Sequence, residues 1–120
     1  VQALTLPAGH LVVAAGFEVV ASATMNTGTD ATAALGFTGG DTDEFVTAFD
    51  IDGASDGAYA PQVAITGMTV SASDDTIDLL LAGSGASFSA GKLRVYAMLM
   101  DVSNTGTSKQ ANEVDRDYLA

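Results

Sequence analysis

The residues of this chain that could do chemistry are mostly acids in turn-rich segments. His10 is the single histidine, and there is no cysteine. Nucleophilic catalysis needs a base beside the nucleophile, and the spacing selects no Ser or Thr as a partner for His10. Zinc sites of the usual kinds need several His or Cys ligands. We therefore expect no enzyme and no catalytic residue, and we expect His10 to be a turn or rim residue.

Carboxylates cluster at residues 41–44 and 50–56. A glycosidase uses two such groups but also needs a platform for the sugar, and the chain has no Trp and only three Tyr. Calcium takes oxygen ligands from loop carboxylates and carbonyls, yet neither segment has the spacing of an EF-hand loop. We expect solvated turn acids and no cofactor. The alternative is a structural Ca²⁺ whose candidate ligands are Asp41, Asp43, Asp50 and Asp52.

Charge is distributed unevenly along the chain. Fifteen acids and four bases give a net charge of −11, and residues 1–91 hold no Lys or Arg. Binding to phosphates needs a basic patch, so we expect no nucleic acid partner, and anionic membrane surfaces are disfavoured for the same reason. The acidity serves either solubility in water or salt, or the docking of the basic C-terminal third on an acidic partner. The four bases are Lys92, Arg94, Lys109 and Arg116.

The hydrophobic pattern predicts an all-β protein. Period-2 alternation and Gly/Asp/Ser/Thr punctuation recur at short spacing, and no apolar run reaches the ~18 residues that a membrane span requires. The predicted loop at residues 25–30 is polar, and the predicted strand at 63–70 has Gly67 inside it, which suggests a bulge. About eight strands are predicted, at residues 4–6, 10–23, 31–37, 44–52, 63–70, 76–82, 86–89 and 93–102.

Antiparallel strands of this number and spacing form a jelly roll, an immunoglobulin-like sandwich or another Greek key. We favour the jelly-roll β-sandwich, because an immunoglobulin-type domain usually has a Cys and Trp core and this chain has neither residue. We expect one domain at residues 1–102, to which a polar C-terminal tail or arm, residues 103–120, belongs.

The last predicted strand is apolar on both faces. Leu93, Val95, Ala97 and Leu99 are expected to face the core. A strand of an isolated sandwich normally shows water a polar face, and exposed apolar patches usually mark interaction surfaces. Either a loop or tail of the same chain covers the second face, or other subunits do. The predicted partner interface comprises Lys92, Arg94, Tyr96, Met98, Met100, Lys109 and Arg116.

Three short motifs occur in a fixed order: LPAG at residues 6–9, GDTDEF at residues 40–45 and AGKLRVY at residues 90–96. This order resembles small structural proteins encoded beside the capsid genes of tailed phages, including cyanophages and other marine phages. The resemblance covers roughly residues 4–102. It implies a jelly-roll decoration, or cement, protein on the outer surface of the virion head.

The resemblance also implies partners. They are the major capsid protein and further copies of the chain itself, most often in a trimer, with Lys92, Arg94 and the tail docking and the strand at 93–102 joining the copies. Two alternatives stay open at this point. One is another structural module of a virion or cell surface, such as a tail, fibre or surface layer. The other is a β-sandwich module that binds Ca²⁺ or carbohydrate.

Overall fold

The computed structural model describes residues 1–63 and 70–103. Within these residues the chain forms five β-strands: β1 (Gln2–Leu6), β2 (His10–Phe37), β3 (Val46–Asp50), β4 (Ala58–Tyr59) and β5 (Asp75–Asp101). Every pairing between them is antiparallel. No helix that could cross a membrane is found in the described part. The predicted all-β class is confirmed.

The two long strands, β2 and β5, pair with each other from end to end and take part in two sheets. The first sheet contains residues 10–21 of β2, residues 92–101 of β5, and β4 on the other side of β2. The second sheet contains the opposite ends of the same two strands, flanked by β3 and β1. Phe17 of the first sheet and Phe49 of the second meet edge to face at 6.0 Å. The two sheets therefore form a β-sandwich.

Between the sheets, β2 and β5 leave the sandwich together as a two-stranded ribbon, residues 24–30 and 83–90. The backbone N–H of Ala23 donates to Ile51 O (2.8 Å), and the N–H of Ile51 donates to Ala31 O (2.9 Å). The two residues of β2 at which the ribbon begins and ends, Ala23 and Ala31, are thus both hydrogen-bonded to Ile51. Met25 is half-buried, and the other side chains described in the ribbon are exposed.

The core lies between the facing sides of the two sheets. Its largest fully buried side chains include Phe17, Leu35, Phe45 and Ile77. Burying an aliphatic or aromatic side chain of this size contributes about 1.5–3 kcal/mol. Phe45 also contacts the ring of Phe37, with centroids 4.9 Å apart. Many of the remaining core positions are Ala, as the composition implies, so the core is thin.

The predicted loop at residues 25–30 was wrong, because these residues are part of β2. Likewise, the three predicted strands at 76–82, 86–89 and 93–102 are one strand, β5. The polar composition of the ribbon gave no sign of this continuity, because β2 and β5 are held together there by hydrogen bonds to each other and not by the burial of apolar side chains. Most of the predicted strand at 63–70, with Gly67, lies outside the described residues, although Val70 bridges to Leu11.

The predicted inward and outward faces are correct near the centre of each strand and shift at the ends. Ala15, Phe17 and Val19 are buried, as the alternation predicts. Val12 is also buried. The pairing register of β2 with β5 shifts between Val12 and Ala14, so the side chains before the shift point to the opposite side from the one that the alternation predicts. Such a β-bulge leaves no mark in a simple alternation pattern.

On β5, Leu93, Val95 and Ala97 pack against the core as predicted. Leu99 is 36% exposed, so its predicted core position is only half realised. Of the predicted tail, only Ser103 belongs to the described residues.

Candidate interaction surface

The outward side of the first sheet brings together most of the residues predicted for a partner interface. The register pairs Leu11 with Met100 and Ala14 with Met98, and the alternation of a strand points both pairs to the same side. Towards the other end of the sheet follow the pairs Gly16–Tyr96 and Glu18–Arg94. We call these eight residues the outer face of the first sheet.

The outer face is apolar at one end. Met98 is 62% exposed and Met100 is 52% exposed, and Val102, just beyond the strand, is 41% exposed. Val70, which bridges to Leu11, adds a side chain that is 44% exposed. Large apolar groups on one side of a sheet indicate a binding surface more strongly than the same groups scattered singly.

Tyr96 divides the apolar end of the outer face from its charged end. Its ring lies over Gly16, where an added Cβ would be 2.5 Å from the Tyr96 hydroxyl oxygen. The Tyr96 hydroxyl accepts a hydrogen bond from Gln62 Nε2 at 2.8 Å, and its ring meets that of Tyr59 at 6.3 Å. Because these contacts hold the ring on three sides, Tyr96 is oriented without a partner.

The charged end of the outer face contains one ion pair. Arg94 Nη1 lies 2.9 Å from Glu18 Oε2, and the Arg94 side chain is 66% exposed. An exposed pair of this kind contributes about 0–1 kcal/mol to stability, so it orients the guanidinium more than it stabilises the fold. Lys92 is exposed two positions earlier on β5. The two remaining predicted cations, Lys109 and Arg116, lie outside the described residues.

Residues 93–101 of β5 also form an edge of the first sheet. Among the described residues they pair with β2 on one side only. Both register shifts beside this segment, between Val12 and Ala14 and between Val19 and Ala21, place the extra residue on β2. The edge itself is therefore regular.

His10 lies at the apolar end of this sheet, opposite Asp101. Its Nδ1–H donates to Ala8 O at 3.2 Å, as in a turn residue. The pKa of Asp101 is lowered, chiefly by hydrogen bonds from the hydroxyl and backbone N–H of Ser103, with a smaller attraction from His10. The hydrogen bonds between Ser103 and Asp101 thus lie where β5 ends.

Two of the candidate calcium ligands, Asp41 and Asp50, accept hydrogen bonds from backbone N–H groups of the turns in which they lie. Asp50 Oδ1 accepts the N–H groups of Asp52 and Gly53 at 3.1 and 2.8 Å, and these bonds lower the pKa of Asp50. Asp41 Oδ1 accepts the N–H of Asp43, and a hydrogen bond between the two carboxyl groups lowers the pKa of Asp41 and raises that of Asp43. In the described part of the chain, no three His, Asp or Glu side chains are grouped to hold a metal ion.

A cavity of about 410 Å³ opens at the base of the ribbon, between the two sheets. Its walls are mostly apolar and include Ile51, Leu79, Phe88 and Leu93, with Lys92 at the same site. The sandwich is thus incompletely filled where β2 and β5 leave it.

Several contributors to this surface were not predicted from the sequence. Tyr59 and Gln62 lie between the predicted strands at 44–52 and 63–70, and Val70 follows the undescribed residues 64–69. No periodic signal could have found them, because each reaches the outer face through tertiary contacts. Tyr59 did offer one hint, since it is a large aromatic residue in an otherwise small and polar segment.

The fold and this surface together define a small acidic β-sandwich with an apolar outward side and a sheet edge that none of the described strands pairs. Comparison with models of known protein families, with characterised proteins and with solved structures gives no match.

Proposed function

We propose that this chain is a structural virion protein that decorates the outside of a tailed-phage head and stabilises contacts between capsomers. The observation that carries the proposal is the outward side of the first sheet, where Met98 and Met100 are more than half exposed at one end and the cations Lys92 and Arg94 are exposed at the other. The three motifs that resemble phage structural proteins supply the class of partner, the major capsid protein.

The proposed docking element is the cationic end of the outer face. With a net charge of −11, the chain as a whole repels an acidic shell. Lys92 and Arg94 are adjacent outward positions of one strand, and since Glu18 compensates the charge of Arg94, they leave one net positive charge on an otherwise acidic molecule. Docking through them is predicted to weaken with salt, because exposed charges are screened over about 8 Å at physiological ionic strength.

The apolar end of the outer face serves contact with copies of the same chain. A subunit that binds both a shell and its neighbours gains from multivalency, since each contact raises the effective concentration for the next. Because the bound protein favours the assembled shell over its separated parts, it stabilises the shell by mass action.

The proposal includes the jelly-roll arrangement of about eight strands that the resemblance implies. Counted by sheet, β2 and β5 supply two strands each, which with β1, β3 and β4 makes seven. The predicted strand at 63–70 would be the eighth.

The test is binding of the purified chain to heads that lack it, measured by co-sedimentation. The wild type should sediment with the heads, and the double variant Lys92→Gln/Arg94→Gln should bind at least tenfold more weakly. The matched control is Thr47→Glu/Ala48→Glu, which makes the same change in net charge at two exposed positions of β3.

The control should bind as the wild type does. Equal loss of binding in both variants would show that total charge, and not this surface, governs the interaction. Wild-type protein that binds tails or fibres but leaves heads bare would place the chain elsewhere on the virion.

A further inference from the structure

Within the described residues, the edge of the first sheet offers a set of backbone groups that no strand pairs. Val102 N–H donates to Gly9 O at 3.0 Å, which directs this residue towards β2. Because hydrogen-bonding direction alternates along an antiparallel strand, the odd-numbered residues from Leu93 to Asp101 direct their N–H and C=O groups away from β2. No strand of the described residues receives them.

This edge lacks the usual protection against pairing with another strand. Natural sheet edges carry Lys, Pro or bulges that block a second strand. From Leu93 to Asp101 there is no Lys and no Pro, and the six residues 95–100 are uncharged. The neighbouring bulges lie on β2. In the described part of the chain, these six residues therefore leave the edge open to a second strand.

We propose that residues 93–101 of β5 pair in antiparallel fashion with the same residues of a second copy of this chain, with Ala97 opposite Ala97. In this register alone, each of the nine residues has a residue of the same segment of the second copy opposite it. The register places Val95 opposite Leu99 on the core side, and Tyr96 opposite Met98 on the outer face. The first sheets of two copies then form one continuous sheet around a twofold axis.

Charge favours a second copy in this orientation. The two charged residues of the edge, Arg94 and Asp101, have opposite signs and lie near its opposite ends. An antiparallel pair keeps the two Arg94 side chains of the copies at opposite ends of the joined strands, and likewise the two Asp101 side chains. A parallel pair would instead place like charges together, which is destabilising.

The edge also presents apolar side chains beside the backbone groups. Met98, Leu99, Met100 and Val102 are 36–62% exposed at the edge or just beyond it. Their apolar surface is on the order of 300 Å², within the range of the largest patch on a typical monomer. This is less than half of the ~800 Å² that each partner buries in a standard interface, so the backbone hydrogen bonds of the nine residues are the main contribution to the pair.

This inference rests on the self-association in the proposed function but not on capsid binding. A twofold pair uses the same patch on both copies, whereas a closed trimer uses two different patches. The mass of the free protein therefore tests the edge pairing separately from the binding to heads.

The experiment is sedimentation velocity of the full chain at micromolar concentration. The wild type should have twice the 12.1 kDa mass of one chain. Met98→Lys should reduce it to one chain, because a Lys on an edge strand blocks pairing with a second strand. The matched control Leu80→Lys changes a residue of β5 that is 52% exposed in the second sheet, and it should remain a pair. A wild-type mass of one or three chains overturns the pairing, as does a Met98→Lys protein that stays a pair.

A crosslink tests the register and does not depend on the folding of a charged variant. The chain has no cysteine, so an introduced thiol is unique. Tyr96→Cys and Met98→Cys proteins, mixed in equal amounts and oxidised, should form the mixed disulfide in clear excess over the 1:2:1 proportion that random pairing gives, since directly opposed residues have the Cα separation that a disulfide needs. Products in the random proportion, or with less of the mixed disulfide, would exclude the register centred on Ala97.

Discussion

Gly36 lies where the second sheet meets the turn that follows it. A Cβ at this position would be 2.2 Å from Asp41 O and 2.3 Å from the carbonyl carbon of Thr42. Both are backbone atoms, and Asp41 O already accepts the N–H of Phe37 at 2.8 Å. The backbone of the turn therefore cannot move away from an added Cβ without losing the hydrogen bond between Phe37 N–H and Asp41 O.

Gly36→Ala is predicted to destabilise the protein by about 1–3 kcal/mol, the usual cost of overpacking. Urea denaturation at fixed protein concentration measures this. The control is Gly40→Ala in the same turn, where the nearest atom to an added Cβ is Phe37 Cβ at 3.7 Å. Gly40→Ala should change the free energy of unfolding by less than about 1 kcal/mol, and equal effects at the two positions would refute the close approach.

Asp50 shows that the acids have a structural role in turns. Hydrogen bonds from Gly53 N–H and from Asp52 lower the pKa of Asp50 in the folded chain. A carboxyl group with a lowered folded pKa contributes stability above its unfolded pKa, about 3.9, and loses it as the pH falls through the folded value.

Asp50→Ala should therefore lower Tm at pH 7, and the gap from the wild type should narrow as the pH falls below about 4. Thermal melts of both proteins across this range give the comparison. A gap that stays constant down to pH 2 would mean that the ionised carboxylate does not stabilise the turn.

At the scale of elements, the sequence predicted strands but not their lengths. Alternating apolar residues at 15–19 and 93–97 were enough to assign the core side. The bulge beside Val12 and the continuity of β2 through residues 24–30 depend on pairing with β5, whose partner residues lie 55 to 87 positions away, from Thr29–Ser84 to Val12–Leu99. Local patterns contain no information about such a partner, and this is why two strands were predicted as five strands and a loop.

The ribbon should be the least stable part of the described strands. Two-stranded ribbons without a buried face are marginal in water, and amides that open locally exchange without global unfolding. In hydrogen exchange, amides of residues 24–30 should exchange at least tenfold faster than those of residues 15–19, which are paired on both sides or buried. Equal protection would show that the ribbon is covered, for example by another copy.

At the scale of the whole molecule, the proposed function explains both the thin core and the apolar outer face. Much of the core consists of Ala, while Met98 and Met100 are exposed. A chain that buries part of its apolar surface only on assembly is stabilised by its partners. The outer strand with Arg94, Tyr96 and the two methionines was predicted from its two apolar faces, whereas Tyr59, Gln62 and the open edge became visible only in the fold.

Head decoration, as proposed for this chain, is tested most directly by cryo-electron microscopy of the particles from which the chain is isolated. The account predicts sandwich-shaped density on the outer surface of the shell, with Lys92 and Arg94 towards the capsid protein and residues 93–101 of β5 against a neighbouring copy. A bare outer shell, or the same density on the tail or inside the head, would contradict it.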